Sequence, residues 1–257
     1  MCRLMAYLGA PVELAHLLFG GQHSLHEQSW APKELLRGPP RADGYGIAWY
    51  ADGRVARIAE PRPVWQDTDL PRTLSAVSAG CVLAALRNQT GAAATDRAGL
   101  MPLVLDGWTF VLDGFVPDFA ERHMRALRGA LPDDLYAELR GASAAETLFL
   151  LAVAELRRGA SLVESLEATV RIVRERVGRA EAQLNMVLSD GTRLVAVRTG
   201  TALVTNSLYL AECPPFAPGG VVLASEAVEP GACWAPVDGH SWVEIGEDLT
   251  VRREVLV

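Results

Sequence analysis

The stretch LVLDGWTFVL, residues 103–112, decides the fold class. Two runs of aliphatic, aromatic and β-branched residues flank an Asp-Gly pair. Asp-Gly suits the two-residue turn whose twist matches that of antiparallel strands, because both turn residues adopt positive φ. Residues 103–105 and 108–112 are therefore expected to form a β-hairpin. The same signature recurs where residues 45–50 face 54–59 across Asp52-Gly53, and where 184–188 face 193–197 across Asp190-Gly191. Further out, residues 81–86 and 221–224 are unbroken apolar runs, as expected of strands buried on both faces. Residues 241–257 read as two more strands.

Between these hairpins the hydrophobic period lengthens. Residues 119–127, 145–157 and 162–177 place apolar side chains at helical spacing with charges opposite. Ser143 followed by Glu146, and Ser161 followed by Glu164, fit capping boxes at two helix starts. Hairpins, a helical block and more hairpins predict an α+β protein with helices covering antiparallel sheets, not an alternating parallel sheet.

A chain of 257 residues, 50% hydrophobic and 21% charged, is long enough for a buried core, and one domain over residues 1–257 is expected. The formal net charge of −7 argues against nucleic acid or an anionic membrane as partner. The apolar stretch 4–19 is broken by Pro11, Glu13 and His16, and no run reaches the roughly 18 apolar residues of a membrane span. A cytoplasmic protein is expected. Cys2, Cys81, Cys213 and Cys233 lack metal-ligand spacing, so neither zinc, another cofactor nor a disulfide is expected.

Cys2 stands out by position. Removal of Met1 exposes a thiol and a free α-amine on one residue, and these titrate near about 8.5 and about 8. The amine can then act as general base for its own side chain. Cysteine also suits attack on an amide, being more nucleophilic than serine. Taken alone, Cys2 reads first as a small apolar residue entering a terminal strand, since residues 3–8 alternate.

Its company extends the reading. Met1-Cys2-Arg3 with Ala6-Tyr7-Leu8-Gly9 is followed by His23-Ser24-Leu25, Gln28-Ser29-Trp30-Ala31-Pro32 and Ala42-Asp43-Gly44-Tyr45-Gly46. Then come Gly80-Cys81-Val82-Leu83-Ala84-Ala85-Leu86-Arg87, Val221-Val222-Leu223-Ala224-Ser225-Glu226, and Trp234 with Asp238-Gly239-His240. This ordered set resembles the class II glutamine amidotransferase-like family of amino-terminal-nucleophile hydrolases, in particular the branch acting in ergothioneine biosynthesis. The resemblance implies a four-layer αββα sandwich. It also implies Cys-dependent hydrolysis of a γ-glutamyl amide, as with γ-glutamyl-hercynylcysteine sulfoxide.

Residue by residue, the resemblance implies Cys2 as nucleophile and Arg87 as the clamp for a substrate carboxylate, a task suited to the two parallel N–H donors of a guanidinium. Thr90, with Asn88 beside it, is expected in the same pocket. Asn185 is expected either to orient the Cys2 amine or to satisfy neighbouring backbone. The family's oxyanion pattern His-Asn-Gly is here Leu112-Asp113-Gly114, so Asp113 and Gly114 are the expected oxyanion residues. An ionised carboxylate offers no donor, however. The helix-opening aspartate that pairs with a substrate ammonium is here Ala144. These two substitutions leave two alternatives open: a paralogue acting on another amide, or a non-catalytic binding or scaffold protein. The expected ligand is a small-molecule amide, and homo-oligomerisation is left open.

Overall fold

The computed structural model describes residues 2–36, 43–87, 99–178, 181–201, 205–229 and 233–256. In chain order, β1 (Arg3–Glu13) leads to α1 (Leu14–Phe19) and α2 (Leu25–Gln28), then β2 (Gly44–Ala51), β3 (Arg54–Glu60), α3 (Leu70–Ser75) and β4 (Ser78–Arg87). Strands β5 (Leu103–Leu105) and β6 (Trp108–Phe115) precede α4 (Met124–Arg128), α5 (Asp133–Tyr136), α6 (Ala144–Arg157) and α7 (Leu162–Val177). Six strands close the chain: β7 (Gln183–Ser189), β8 (Leu194–Gly200), β9 (Tyr209–Glu212), β10 (Gly220–Ala224), β11 (Trp234–Pro236) and β12 (Ser241–Ile245), with β13 (Val251–Val255) as a seventh after them.

The strands form a seven-stranded sheet, β11-β9-β10-β1-β4-β2-β3, and a six-stranded sheet, β13-β12-β8-β7-β6-β5. Neighbours in both are antiparallel. The period-2 alternation of β1 explains how the sheets stack. Leu4, Ala6 and Leu8 join the core shared with β6, β7 and β8, whereas Met5 and Tyr7 pack with Leu14, Leu17 and Leu18 of α1. On the other sheet, α7 buries Leu162, Leu166, Val170, Val173 and Val177 at helical spacing. It packs against α6, which is apolar on nearly every face because it lies between sheet and neighbouring helices. The result is the four-layer αββα arrangement.

The hairpins form at the expected turns. Asp52-Gly53 and Asp106-Gly107 all have positive φ, between 51° and 85°. The third differs: Ser189 pairs with Leu194, leaving a four-residue loop. Asp190 Oδ1 holds it by accepting from the N–H groups of Thr192 and Arg193, both at 2.9 Å. Residues 119–127 split into a wide π-type turn, Phe119–His123, followed by α4. Ser161 and Glu164 complete their capping box. Ser143 accepts from Glu146 N–H, but the Glu146 carboxylate turns to the N–H groups of Arg140 (2.6 Å) and Gly141 (3.0 Å), which the preceding loop folds over it. Among the described residues no helix is long and apolar enough to cross a membrane.

Two contacts lock the layers. A Cβ on Gly46 would collide with the Met101 carbonyl, so glycine lets residues 99–102 cross β2 at backbone contact. At the far end of the sandwich the Tyr50 hydroxyl lies 2.9 Å from Gly107 O, 3.0 Å from Ser189 O and 3.0 Å from Thr109 Oγ1, joining the first sheet to the second. Beneath it, burial pushes the Cys81 thiol up to about 12, despite a hydrogen bond with Ser189. Tyr50→Phe is expected to cost about 1–2 kcal/mol in urea unfolding, because the buried Ser189 carbonyl loses a donor; an unchanged midpoint would show that the staple adds nothing.

Candidate active site

Cys2 immediately precedes β1 and its half-buried side chain packs on the inter-sheet core. The β1–β4 register pairs Arg3 with Leu86. One further step brings Cys2 level with Arg87, which ends β4 and faces Gly44 of β2 on its other side. A nucleophile candidate and a carboxylate-binding candidate therefore share one end of the first sheet. Asn88 and Thr90 lie outside the described residues.

The matching end of the second sheet carries Asp113 and Gly114. Strand β5 ends its pairing with Leu103 opposite Phe110, so among the described residues no strand covers that side of residues 111–115. The Leu112 N–H points to this side, donating to Met101 Sδ at 3.1 Å. Strand N–H groups alternate direction, so the Gly114 N–H faces the same uncovered side. A Cβ on Gly114 would collide with the carbonyl of Gln183 on β7, which excludes any other residue without strand displacement.

Asp113 points elsewhere. It is fully buried. Its Oδ2 accepts from Arg3 Nη1 (3.0 Å) and Ser225 Oγ (2.7 Å), and its Oδ1 from Asn206 Nδ2 (3.3 Å). Burial pushes its carboxyl above the usual range, while Arg3 and the Ser225 hydrogen bond pull it back. The carboxylate is thus occupied by three donors and ties β6 to β1 and to the end of β10.

The same guanidinium reaches further. Arg3 Nε forms an ion pair with Glu226 Oε1 at 3.0 Å, and Glu226 Oε2 lies 2.7 Å from His23 Nε2. Arg3, Asp113, Glu226 and His23 make a buried row of titratable groups. A cavity of about 240 Å³ opens beside it, lined by Gln22, His23, Lys33, Glu34, Glu226 and Glu229.

Asn185 faces Asp113 across β6 and β7. Its Nδ2 donates to the carbonyls of Ser207 (2.8 Å) and Asn206 (3.3 Å), fastening that segment to the sheet. Arg198 holds it too, with Nε donating to Asn206 O at 2.8 Å. The Oδ1 atoms of Asn185 and Asn206 are buried with no hydrogen-bond partner among the described residues. Ala144 is the first residue of α6, half-buried and following the cap Ser143.

Arg3, Ser225, Asn206 and the pairing of His23 with Glu226 were not among the candidate residues that the sequence singled out. The signal was present: Arg3 and the Ser225-Glu226 pair interrupt or end strongly apolar strands, where charge is costly unless partnered. Among the aromatic residues, Tyr50 is committed to the distant inter-sheet staple. Trp49 packs with the helix-covered core. Trp30 lies edge-on to Trp65, with ring centroids 6.1 Å apart, and Trp234 stacks on Phe216. His26 packs against Phe19 and Trp30, and burial lowers its pKa. No group of three or more His, Cys, Asp or Glu among the described residues could hold a metal ion.

Asp113→Asn is expected to lower stability by about 3 kcal/mol, since it removes one of two carboxylates facing a buried guanidinium. Urea unfolding tests this, and a neutral effect would mean that the pair contributes nothing net.

Comparisons with known proteins agree with this geometry. Residues 24–229 match the family model described as glutamine amidotransferases class-II. The chain is 32% identical over 246 residues to a gamma-glutamyl-hercynylcysteine sulfoxide hydrolase of Mycolicibacterium smegmatis, covering 95% of this chain and 96% of that one. It is 29% identical over 247 residues to the enzyme so named in Mycobacterium tuberculosis, covering 95% and 93%. Among solved structures, a glutamine aminotransferase class-II domain protein from Silicibacter pomeroyi superposes with a TM-score of 0.74 at 21% identity over the whole of both chains. The glutamine phosphoribosylpyrophosphate amidotransferase of B. subtilis gives 0.68 at 15% identity, covering all of this chain and 49% of that one.

Proposed function

The chain belongs to the class II glutamine amidotransferase family, and within it we propose a hydrolase of γ-glutamyl amides whose nucleophile is Cys2. One observation carries the reading: the Arg3–Asp113 ion pair joins the Cys2 end of β1 to the Gly114 end of β6. Cys2, Arg87 and Gly114, the residues to which nucleophile, carboxylate clamp and oxyanion donor are assigned in this proposal, thus lie toward one end of the sandwich. The hydrolases named above, similar over 95% of the chain, support γ-glutamyl-hercynylcysteine sulfoxide as substrate.

In the proposed reaction, the Cys2 α-amine takes the thiol proton and the sulfur attacks the γ-carbonyl carbon. The carbonyl oxygen gains negative charge against the Gly114 N–H. The protonated amine then gives its proton to the departing nitrogen, the C–N bond breaks, and a thioester remains. Water, losing a proton to the same amine, attacks the thioester; the acid leaves and the thiolate regains its proton. Arg87, with Asn88 and Thr90 beside it, holds the substrate carboxylate. Asn185 shapes the site through the segment it fastens. Asp113 acts as a tether, not as a donor, so one oxyanion donor is missing relative to the family pattern. Such a loss typically costs roughly 2.7–4 kcal/mol of transition-state stabilisation.

Ala144 favours a second reading of the acyl group. With alanine at position 144 and the Glu146 carboxylate engaged by the Arg140 and Gly141 N–H groups, an acyl group whose amine is absent or masked suits the pocket as well as a free glutamyl group.

Intact-mass spectrometry with and without a glutamine-like diazo-ketone tests the central claim. Loss of Met1 and a single adduct that disappears in Cys2→Ala are expected; retained Met1 would sink the mechanism, because the base would be acylated. Ala144→Asp is expected to raise turnover of free γ-glutamyl amides by about tenfold or more, by supplying a charge partner. Unchanged turnover in that variant would point to a different acyl group.

A further inference from the structure

A terminal residue is held by few contacts, since no peptide bond precedes it and chain ends order only where they are tied down. For Cys2 after loss of Met1, the carbonyl is one of the remaining handles on its orientation. Arg3 Nη1 lies 3.3 Å from that carbonyl oxygen and 3.0 Å from Asp113 Oδ2, so one nitrogen serves both. Glu226 faces the same guanidinium from its other edge, as an ion pair with Oε1 3.0 Å from Nε that lacks the alignment of a hydrogen bond, so Asp113 and Glu226 hold Arg3 between them.

Glu226 is itself gripped from several directions. Its Oε2 is 2.7 Å from His23 Nε2 and accepts the Lys33 N–H at 2.8 Å, while Oε1 accepts the Glu34 N–H at 3.0 Å. Burial pushes its carboxyl up, but these hydrogen bonds and Arg3 outweigh it and hold the group below the usual range. It therefore stays charged at neutral pH. The residue before it completes the grip: Ser225 Oγ accepts the Leu4 N–H at 2.9 Å and donates to Asp113. One dipeptide at the end of β10 thus holds the Leu4 backbone and faces the Arg3 side chain.

We propose that Glu226 is a positioning residue for Cys2, acting through Arg3. The proposal rests on Cys2 being the nucleophile. It adds a role for an acid that touches neither substrate nor thiol, and it couples the nucleophile to residues 33–34 at the rim of the neighbouring cavity.

Alkylation of Cys2 by iodoacetamide, mapped by peptide mass spectrometry, tests it without a substrate. Glu226→Gln is expected to change the Cys2 alkylation rate and to lower kcat on a γ-glutamyl anilide by about tenfold or more with KM within about threefold, because small displacements of a reacting group cost on the order of 100-fold. A merely structural role would shift the urea midpoint and leave both rates per folded molecule unchanged, which overturns the proposal. If Glu226→Gln does not fold, Arg3→Lys serves: it keeps the charge but cannot bridge three acceptors, and wild-type rates in that variant likewise overturn the proposal. Should the wild-type protein hydrolyse no γ-glutamyl amide, the function fails separately, while the alkylation comparison still decides the role of Glu226.

Discussion

The ion pair between Arg3 and Asp113 is the constraint around which one end of this protein is arranged. It connects the two sheets through charge, and it does so beside the residue proposed as nucleophile. A charge pair with no solvent exposure is tolerable only if its remaining donors and acceptors are engaged. That requirement accounts for the polar residues gathered nearby: Ser225 and Asn206 on Asp113, Glu226 on Arg3, and His23 with two backbone N–H groups on Glu226. The network is not fully satisfied: Arg3 Nε, Arg3 Nη2 and His23 Nδ1 are buried with no hydrogen-bond partner among the described residues, so Arg3 and Glu226 attract as charges without an aligned hydrogen bond.

The opposite end of the sandwich is fastened differently. There Tyr50 reaches across with a neutral hydroxyl to two carbonyls and a threonine. Neutral hydrogen bonds contribute modestly and place no charge in the core. The two ends therefore divide the work: one holds the layers together at small electrostatic cost, and the other holds charged groups close to the proposed nucleophile. This division also gives Asp113 its place. Where an asparagine would offer an amide donor, the aspartate is turned to Arg3, and in the proposed mechanism the oxyanion is left to the backbone of Gly114.

Much of the fold was legible because period and turn chemistry are local. Asp52-Gly53 and Asp106-Gly107 mark two-residue turns, and Leu162, Leu166, Val170 and Val173 mark a helix face, without reference to distant residues. The third turn was misjudged because the Asp190 carboxylate could reach the backbone of Thr192 and Arg193, a local bond that competes with the tighter turn. Helices α1, α2 and α3, at four to six residues, are too short to display a period. The incomplete box at Ser143 has a different cause, since Glu146 was claimed by N–H groups from the loop before it.

Cys2, Arg87 and Gly114 could be singled out from residue type, position and neighbouring motif, because a terminal thiol and amine, a strand-end guanidinium and a small residue each limit the chemistry available. The antiparallel layers were likewise determined by the chain's own patterning. What the partners of Arg3 would be was not in the sequence. Asp113 and Glu226 lie 110 and 223 positions away, and no local rule brings them to one guanidinium. Only the closing of the two sheets does, since burial removes water as a partner and obliges each charge to find another.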